Sequence, residues 1–166
     1  MLRAIACWAR RRGIAFDLVG IDLNPRAELV ARQREEGGRG EAAQPIRWLT
    51  GDYAGLADEP WDFVISSLVA HHMTHGELVT FLRFMEQHAA RGWLVNDLHR
   101  HALAYHAFPL LARLFGWHRI VRLDGRTSIA RSYRPDEWPP ILAEAGISGA
   151  KVRRVFPLRL CVERLR

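Results

Sequence analysis

Two patterns of hydrophobic and polar positions alternate along the chain. Short continuous apolar runs bounded by turn residues predict strands that are buried on both faces of a sheet. A period near 3.6 residues predicts helices, and it is clearest at 76–90, where Leu78, Phe81, Leu82 and Met85 share one face. The predicted elements are a helix at 2–12, a strand at 16–22, a helix at 25–36, strands at 46–52 and 61–72, a helix at 76–90, a strand at 92–100, a helical stretch to about residue 116, a helix at 134–146 and a closing pair of strands.

Strands that alternate with helices predict an α/β fold with a mostly parallel sheet and helices on both faces. The closing strand pair, joined by a turn around Pro157, predicts one antiparallel strand at an edge. No repeat or long linker divides the chain, so we predict a single domain over 1–166. Because ligands bind beyond the carboxyl ends of strands in such sheets, Asp22, Asp52, Ser66–His72 and Asn96–His101 are expected to lie in one neighbourhood.

The amino-acid composition argues against only a few classes of function. The 166 residues are 49% hydrophobic with a formal net charge of +6. All the basic residues except Lys151 are arginines, but they are spread along the chain and mixed with acids, so nucleic-acid binding is not expected. No apolar run reaches the ~18 residues that a membrane span needs. Cys7 and Cys161 form no spaced pair, which predicts buried thiols and a cytoplasmic location.

Four segments carry the chemistry of the strand ends: “VGIDLNP”, “TGDYAGL”, “WDFVISSLVAHH” and “RGWLVNDLHRH”. In this order and spacing they resemble class I S-adenosylmethionine-dependent methyltransferases, in particular the small-molecule branch that includes quinone-biosynthesis methyltransferases. The ending from “SIARSYRPDEW” onward is similar to the last helix and the two closing strands of that family. The resemblance implies a Rossmann-like fold and S-adenosylmethionine as the cofactor.

The resemblance also implies roles for individual residues. Asp22 would accept hydrogen bonds from the ribose hydroxyls of the cofactor, and Leu23 would pack on its adenine. Asp52 would bind the adenine amino group, with Tyr53 beside the ring. The residues that flank the methionine portion would be Ser66, Ser67 and Leu68. A strand-end aspartate can instead cap a turn or helix, and both interpretations stay open here.

One part of the family pattern has no match in the sequence. The family's first motif is a strand followed by a glycine-rich turn, and this chain begins with the helix that should follow it. The missing strand would be the central one, between the strands at 16–22 and 62–68. We therefore expect Met1 to be an internal methionine of a longer reading frame. A non-catalytic remnant with the same fold is the alternative function.

Histidines are frequent, with eight in the chain, most of them between 71 and 106. A phenol or enol acceptor must lose a proton when it is methylated, and histidine suits that task. We predict His71 or His72 as the catalytic base, and His99, His101 and Tyr105 as acceptor-binding residues. A His-dependent metalloprotein is a less favoured alternative, because the H-E-x-x-H pattern is absent, and no metal site is predicted. The acceptor, the choice between O- and C-methylation, and the oligomeric state stay open.

Overall fold

The computed structural model describes residues 1–36, 45–116 and 119–166, so most of the predicted loop at 35–45 lies outside the described residues. The chain divides into two compact units, Met1–Glu59 and Pro60–Arg166.

The first unit is a two-stranded parallel sheet with two helices. Its elements are α1 (Leu2–Arg11), β1 (Leu18–Asp22), α2 (Pro25–Glu36), β2 (Ile46–Thr50) and a 3₁₀ turn at Tyr53–Leu56. The register places Asp22 opposite Thr50, so both strands end together. Gly20 packs tightly, because a Cβ atom there would lie 2.5 Å from the ring of Trp48. The carboxyl ends of β1 and β2 therefore share one edge, as predicted.

The first unit is less buried than its apolar pattern predicts. We expected β1 to be buried on both faces, but its residues are at most half-buried. Leu29 and Val30, which were expected to face inward, are both exposed. Two strands and two helices offer too little surface to cover both faces of the sheet. Among the described residues β2 is the only strand partner of β1, and the predicted absence of a central strand stays a prediction.

The second unit is a four-stranded sheet with helices. Its elements are β3 (Trp61–Ser67), α3 (His75–His88), β4 (Ala89–Leu98), α4 (Ala102–Leu114), α5 (Arg119–Arg131), α6 (Trp138–Glu144), β5 (Lys151–Val155) and β6 (Arg159–Leu165). The strand order is β3-β4-β6-β5, with β3 parallel to β4 and β6 antiparallel to both β4 and β5. The antiparallel strand β6 therefore lies inside the sheet, and β5 forms the edge. Helix α5 was not predicted from the sequence.

The core of the second unit lies between α3 and β4. Leu78, Leu82 and Met85 of α3 are fully buried, as are Trp93 and Val95 of β4. Each such side chain stabilises the fold by about 1.5–3 kcal/mol relative to exposure. This packing fixes the end of β4, where the polar residues of the sequence motifs cluster. No described helix has both the length and the apolar character needed to cross a membrane.

Candidate active site

The turn after β3 is strained and is held by β4. Leu68 has φ = 61°, in the left-handed region that non-glycine residues seldom adopt. Its amide donates to the carbonyl of Asn96 (2.9 Å), and the Asn96 Nδ2 donates to Ser67 Oγ (3.3 Å). Ser66 is buried, and its Oγ has no hydrogen-bond partner within residues 1–36, 45–116 and 119–166. An unusual backbone conformation beside an unsatisfied hydroxyl is typical of a functional site.

His71 and Asp97 form a buried pair at the ends of β3 and β4. His71 Nδ1 lies 2.6 Å from Asp97 Oδ1, and both side chains are only 3% exposed. Asp97 also accepts hydrogen bonds from the amides of His71 (2.9 Å) and Leu98 (2.7 Å). Because a carboxylate oxygen accepts in this contact, Nδ1 of His71 is assigned as the donor.

His72 lies next to this pair and differs from His71 in exposure. The two imidazole rings are 4.1 Å apart between centroids, at an angle of 40°. His72 is exposed, and its amide donates to the carbonyl of Val69 (2.9 Å). The two predicted catalytic histidines therefore lie together, but only His72 is accessible.

The second histidine group lies after β4. His99 is buried, and that burial, together with the positive charges of His101, Arg154 and Arg134, lowers its pKa. His101 is the N-cap residue of α4, since its Nδ1 accepts from the amide of Leu103 (3.2 Å). The ring centroids of His99 and His101 are 5.5 Å apart.

Tyr105, the third predicted acceptor-binding residue, lies under the guanidinium of Arg126. The Arg126 Cζ atom is 4.4 Å from the centre of the tyrosine ring, which is cation–π geometry. Tyr105 and His101 thus each have a structural contact in addition to their predicted role.

Tyr133 lies in the same neighbourhood, although no pattern in the sequence predicts it. It forms an isolated bridge with His99, and its carbonyl accepts from the amide of Arg100 (3.0 Å). Arg100 in turn forms an ion pair with Glu137. Burial, followed by the charges of Glu137 and Asp97, raises the pKa of Tyr133, so its hydroxyl keeps its proton. Only the folded chain brings this residue to the end of β4.

The strand-end acids of the first unit cap local turns. Asp22 Oδ1 accepts from the amide of Asn24 (2.8 Å), just before α2 begins. Asp52 Oδ1 accepts from the amide of Ala54 (2.8 Å) and caps the 3₁₀ turn. The second carboxylate oxygen of each aspartate accepts no hydrogen bond from the described part of the chain. Leu23 is exposed and Tyr53 is half-buried.

A metal centre finds no support in this geometry. Within residues 1–36, 45–116 and 119–166, no group of three or more His, Cys, Asp or Glu side chains could hold a metal ion. Cys161 also offers no reactive thiolate, because burial raises its pKa.

Comparison with solved structures gives matches along nearly the whole chain. PigF with SAH aligns with a TM-score of 0.63 at 16% identity, covering 98% of this chain and 47% of that one. The plantazolicin methyltransferase BpumL, in complex with SAH and a triazolic desmethylPZN analog, gives 0.70 at 10% identity, covering 98% and 71%. Magnesium protoporphyrin IX methyltransferase (ChlM) from Synechocystis PCC 6803, with bound SAH, gives 0.57 at 16% identity, covering 98% and 80%.

These identities show the fold alone, and the chain spans about half the length of PigF. No curated protein sequence matches the chain significantly. Residues 3–95, more than half of the chain, match the family described as “Methyltransferase domain”. The predicted Rossmann-like fold and the resemblance to class I S-adenosylmethionine-dependent methyltransferases are thereby confirmed, and the chain belongs to the methyltransferase domain family.

Proposed function

We propose that this protein transfers a methyl group from S-adenosylmethionine to oxygen or carbon of a small-molecule acceptor. The observation that carries the proposal is the buried His71–Asp97 pair in contact with the exposed His72, at a strand end of a methyltransferase-family chain. The SAH complexes of the structural neighbours support the choice of cofactor.

The strand-end residues of each unit, taken by itself, have groups that suit such a cofactor. Asp22 and Asp52 each offer a carboxylate oxygen to hydroxyl or amino groups, while Leu23 and Tyr53 offer apolar surface to the adenine. Ser66 Oγ has no hydrogen-bond partner among the described residues, and a ligand with polar groups would satisfy it. Ser67 and Leu68 belong to the same turn, which Asn96 holds in place. When bound, S-adenosylmethionine supplies an electrophilic methyl group on a sulfonium.

His72 is the proposed general base, and His71 with Asp97 positions it. Asp97 fixes the turn through both the ring and the amide of His71, and the His71 ring contacts that of His72. A ring nitrogen of His72 would take the proton from the acceptor hydroxyl or enol, while the acceptor gains the methyl group and S-adenosylmethionine leaves as SAH. The proton then passes to solvent, which His72 reaches and His71 does not.

His99, His101 and Tyr105 are the proposed acceptor-binding residues. His99 is kept neutral near pH 7 by its lowered pKa, so it can accept or donate one hydrogen bond without adding charge. In neutral His101, Nδ1 accepts from the cap, so the proton lies on Nε2, which can donate to an acceptor oxygen.

Calorimetric titration of the full chain with S-adenosylmethionine and with SAH tests the proposal first. We expect binding of both, and a loss of at least about tenfold for Asp22→Asn, since the carboxylate would accept charge-assisted hydrogen bonds. Asp58→Asn, a change of the same chemistry at another exposed acid of the first unit, should bind like the parent. Absence of binding would favour the non-catalytic alternative.

Methyl transfer to a panel of phenols and enols then tests the base. We expect His72→Asn to lower kcat by about 10²–10⁴-fold, the usual contribution of a general base, with cofactor affinity unchanged. His75→Asn, in the same segment but paired with Glu144 at the surface, is the matched control. Equal turnover in the two variants would show that His72 is not the base.

A further inference from the structure

Although basic residues are spread along the chain, the excess of basic over acidic residues falls in one segment. Residues 100–134 contain seven arginines and a single acid, Asp124, so this segment has a net charge of +6. The rest of the chain has 17 basic and 17 acidic residues and is neutral overall. Most of this surplus belongs to α4 and α5 themselves, which together hold five arginines and Asp124 and so have a net charge of +4.

The same region exposes an apolar surface, the leucine stripe, formed by Leu103, Leu110, Leu111 and Leu114 of α4. Their side chains are between 48% and 78% exposed. Spacings of 7, 8 and 11 residues from Leu103 place all four on one side of the helix. Helix α4 contains no acidic residue.

Helix α5 does not cover the leucine stripe, because it packs against another side of α4. A Cβ atom on Gly125 of α5 would lie 2.2 Å from the ring of Phe108, so the two helices approach closely there. Arg126 of α5 stacks on Tyr105 of α4. Phe108 and Tyr105 lie on the side of the helix opposite the stripe. Within the described part of the chain the four leucines remain exposed.

Cationic side chains lie beside the stripe and on the neighbouring helix. Arg113 is three residues from Leu110, which makes them neighbours on the helix surface. Arg113, Arg126 and Arg131 are all exposed, and no described residue forms a salt bridge with any of them. Exposed leucines close to exposed arginines that form no ion pair in the described part of the chain are features of helices that bind at an anionic membrane surface.

We propose that α4 and α5 dock on an anionic lipid surface, with the leucine stripe inserted at the headgroup boundary and the arginines against the lipid phosphates. A second copy of this chain fits less well, because two +6 segments would face each other. The docking requires neither cofactor nor turnover, so it stands or falls independently of the proposed methyl transfer.

Flotation of the full chain with lipid vesicles tests the proposal. We expect binding to vesicles of phosphatidylcholine with phosphatidylserine that is at least about tenfold stronger than to phosphatidylcholine alone. Raising the salt concentration should weaken it, since the Debye length shortens. Leu110→Ser/Leu114→Ser should reduce binding to the anionic vesicles by at least about tenfold, through loss of apolar burial. The control Leu29→Ser/Leu165→Ser changes two leucines that are exposed elsewhere and should bind like the parent.

A second variant keeps the test valid if the leucine variant does not fold by circular dichroism. Arg113→Ser/Arg131→Ser leaves the stripe intact and should weaken anionic binding by about fivefold per arginine. The proposal is overturned if the parent does not bind anionic vesicles, or if the leucine variant and its control bind equally. A concentration-dependent dimer that the leucine variant abolishes would also overturn it, in favour of an interface between copies.

Discussion

Asp97 accepts hydrogen bonds from the ring and amide of His71 and from the amide of Leu98, although its side chain is almost fully buried. A buried carboxylate that lost these donors would destabilise the fold by several kcal/mol, because its desolvation would no longer be offset. One residue thus anchors the turn that carries both candidate catalytic histidines.

His99 makes stability depend on pH at the residue scale. Its folded-state pKa is lowered from 6.5, first by burial and then by His101, Arg154 and Arg134. As pH falls below about 6.5, the unfolded chain binds a proton at His99 before the folded chain does. The free energy of unfolding should therefore decrease with falling pH. We expect the free energy of unfolding to decrease less between pH 7 and pH 5 in His99→Asn than in the parent.

Urea unfolding at several pH values measures this difference. His99→Gln controls for the size and shape of the replacing side chain. Its free energy of unfolding should depend on pH as weakly as that of His99→Asn, because both replacements are neutral. A parent and variants with parallel curves of unfolding free energy against pH would contradict the lowered pKa.

At the scale of elements, the sequence predicts those helices and strands that have a regular local pattern of hydrophobic residues. Helix α3 was predicted because its apolar stripe is regular. Helix α5 was missed because Gly125 and several arginines interrupt any apolar period, although the glycine is required by the contact with Phe108. The helix predicted at 134–146 begins instead as a 3₁₀ turn at Pro135–Glu137, which continues into α6.

Contacts between elements could not be predicted in the same way. His71 and Asp97 were both singled out, but their pairing depends on the parallel register of β3 and β4, in which Ser67 lies opposite Asn96. Tyr133 comes to His99 from a segment with no strand or helix pattern of its own. Register and long-range bridges follow from packing of the whole sheet, which no single stretch of sequence specifies.

The capping box of α3 leads to a prediction at this scale. Thr74 Oγ1 accepts from the amide of Glu77 (3.4 Å), and the Glu77 carboxylate accepts from the Thr74 amide (2.7 Å). Thr74→Ala should lower the free energy of unfolding by about 1 kcal/mol, the usual effect of losing an N-cap side chain. Thr74→Ser keeps the hydroxyl and should stay close to the parent. Equal stability of the alanine and serine variants in urea would contradict a role for the cap.

At the scale of the whole molecule, the two units are stabilised very differently. In the second unit β4 is paired on both sides and packs against the fully buried face of α3. In the first unit β1 and β2 pair with each other, and most of their residues are at best half-buried. Buried apolar contacts and paired strands determine how rarely a region opens.

Amide hydrogen exchange of the full chain should reveal this difference. We expect the amides of β4 and β6 to exchange at least about tenfold more slowly than those of β1 and β2, relative to their intrinsic rates, because opening β4 breaks two strand pairings and exposes the core beside Trp93. A tenfold ratio corresponds to about 1.4 kcal/mol of opening free energy. Exchange in β1 as slow as in β4 would contradict the expectation, since it would require β1 to be covered in solution by more than its pairing with β2.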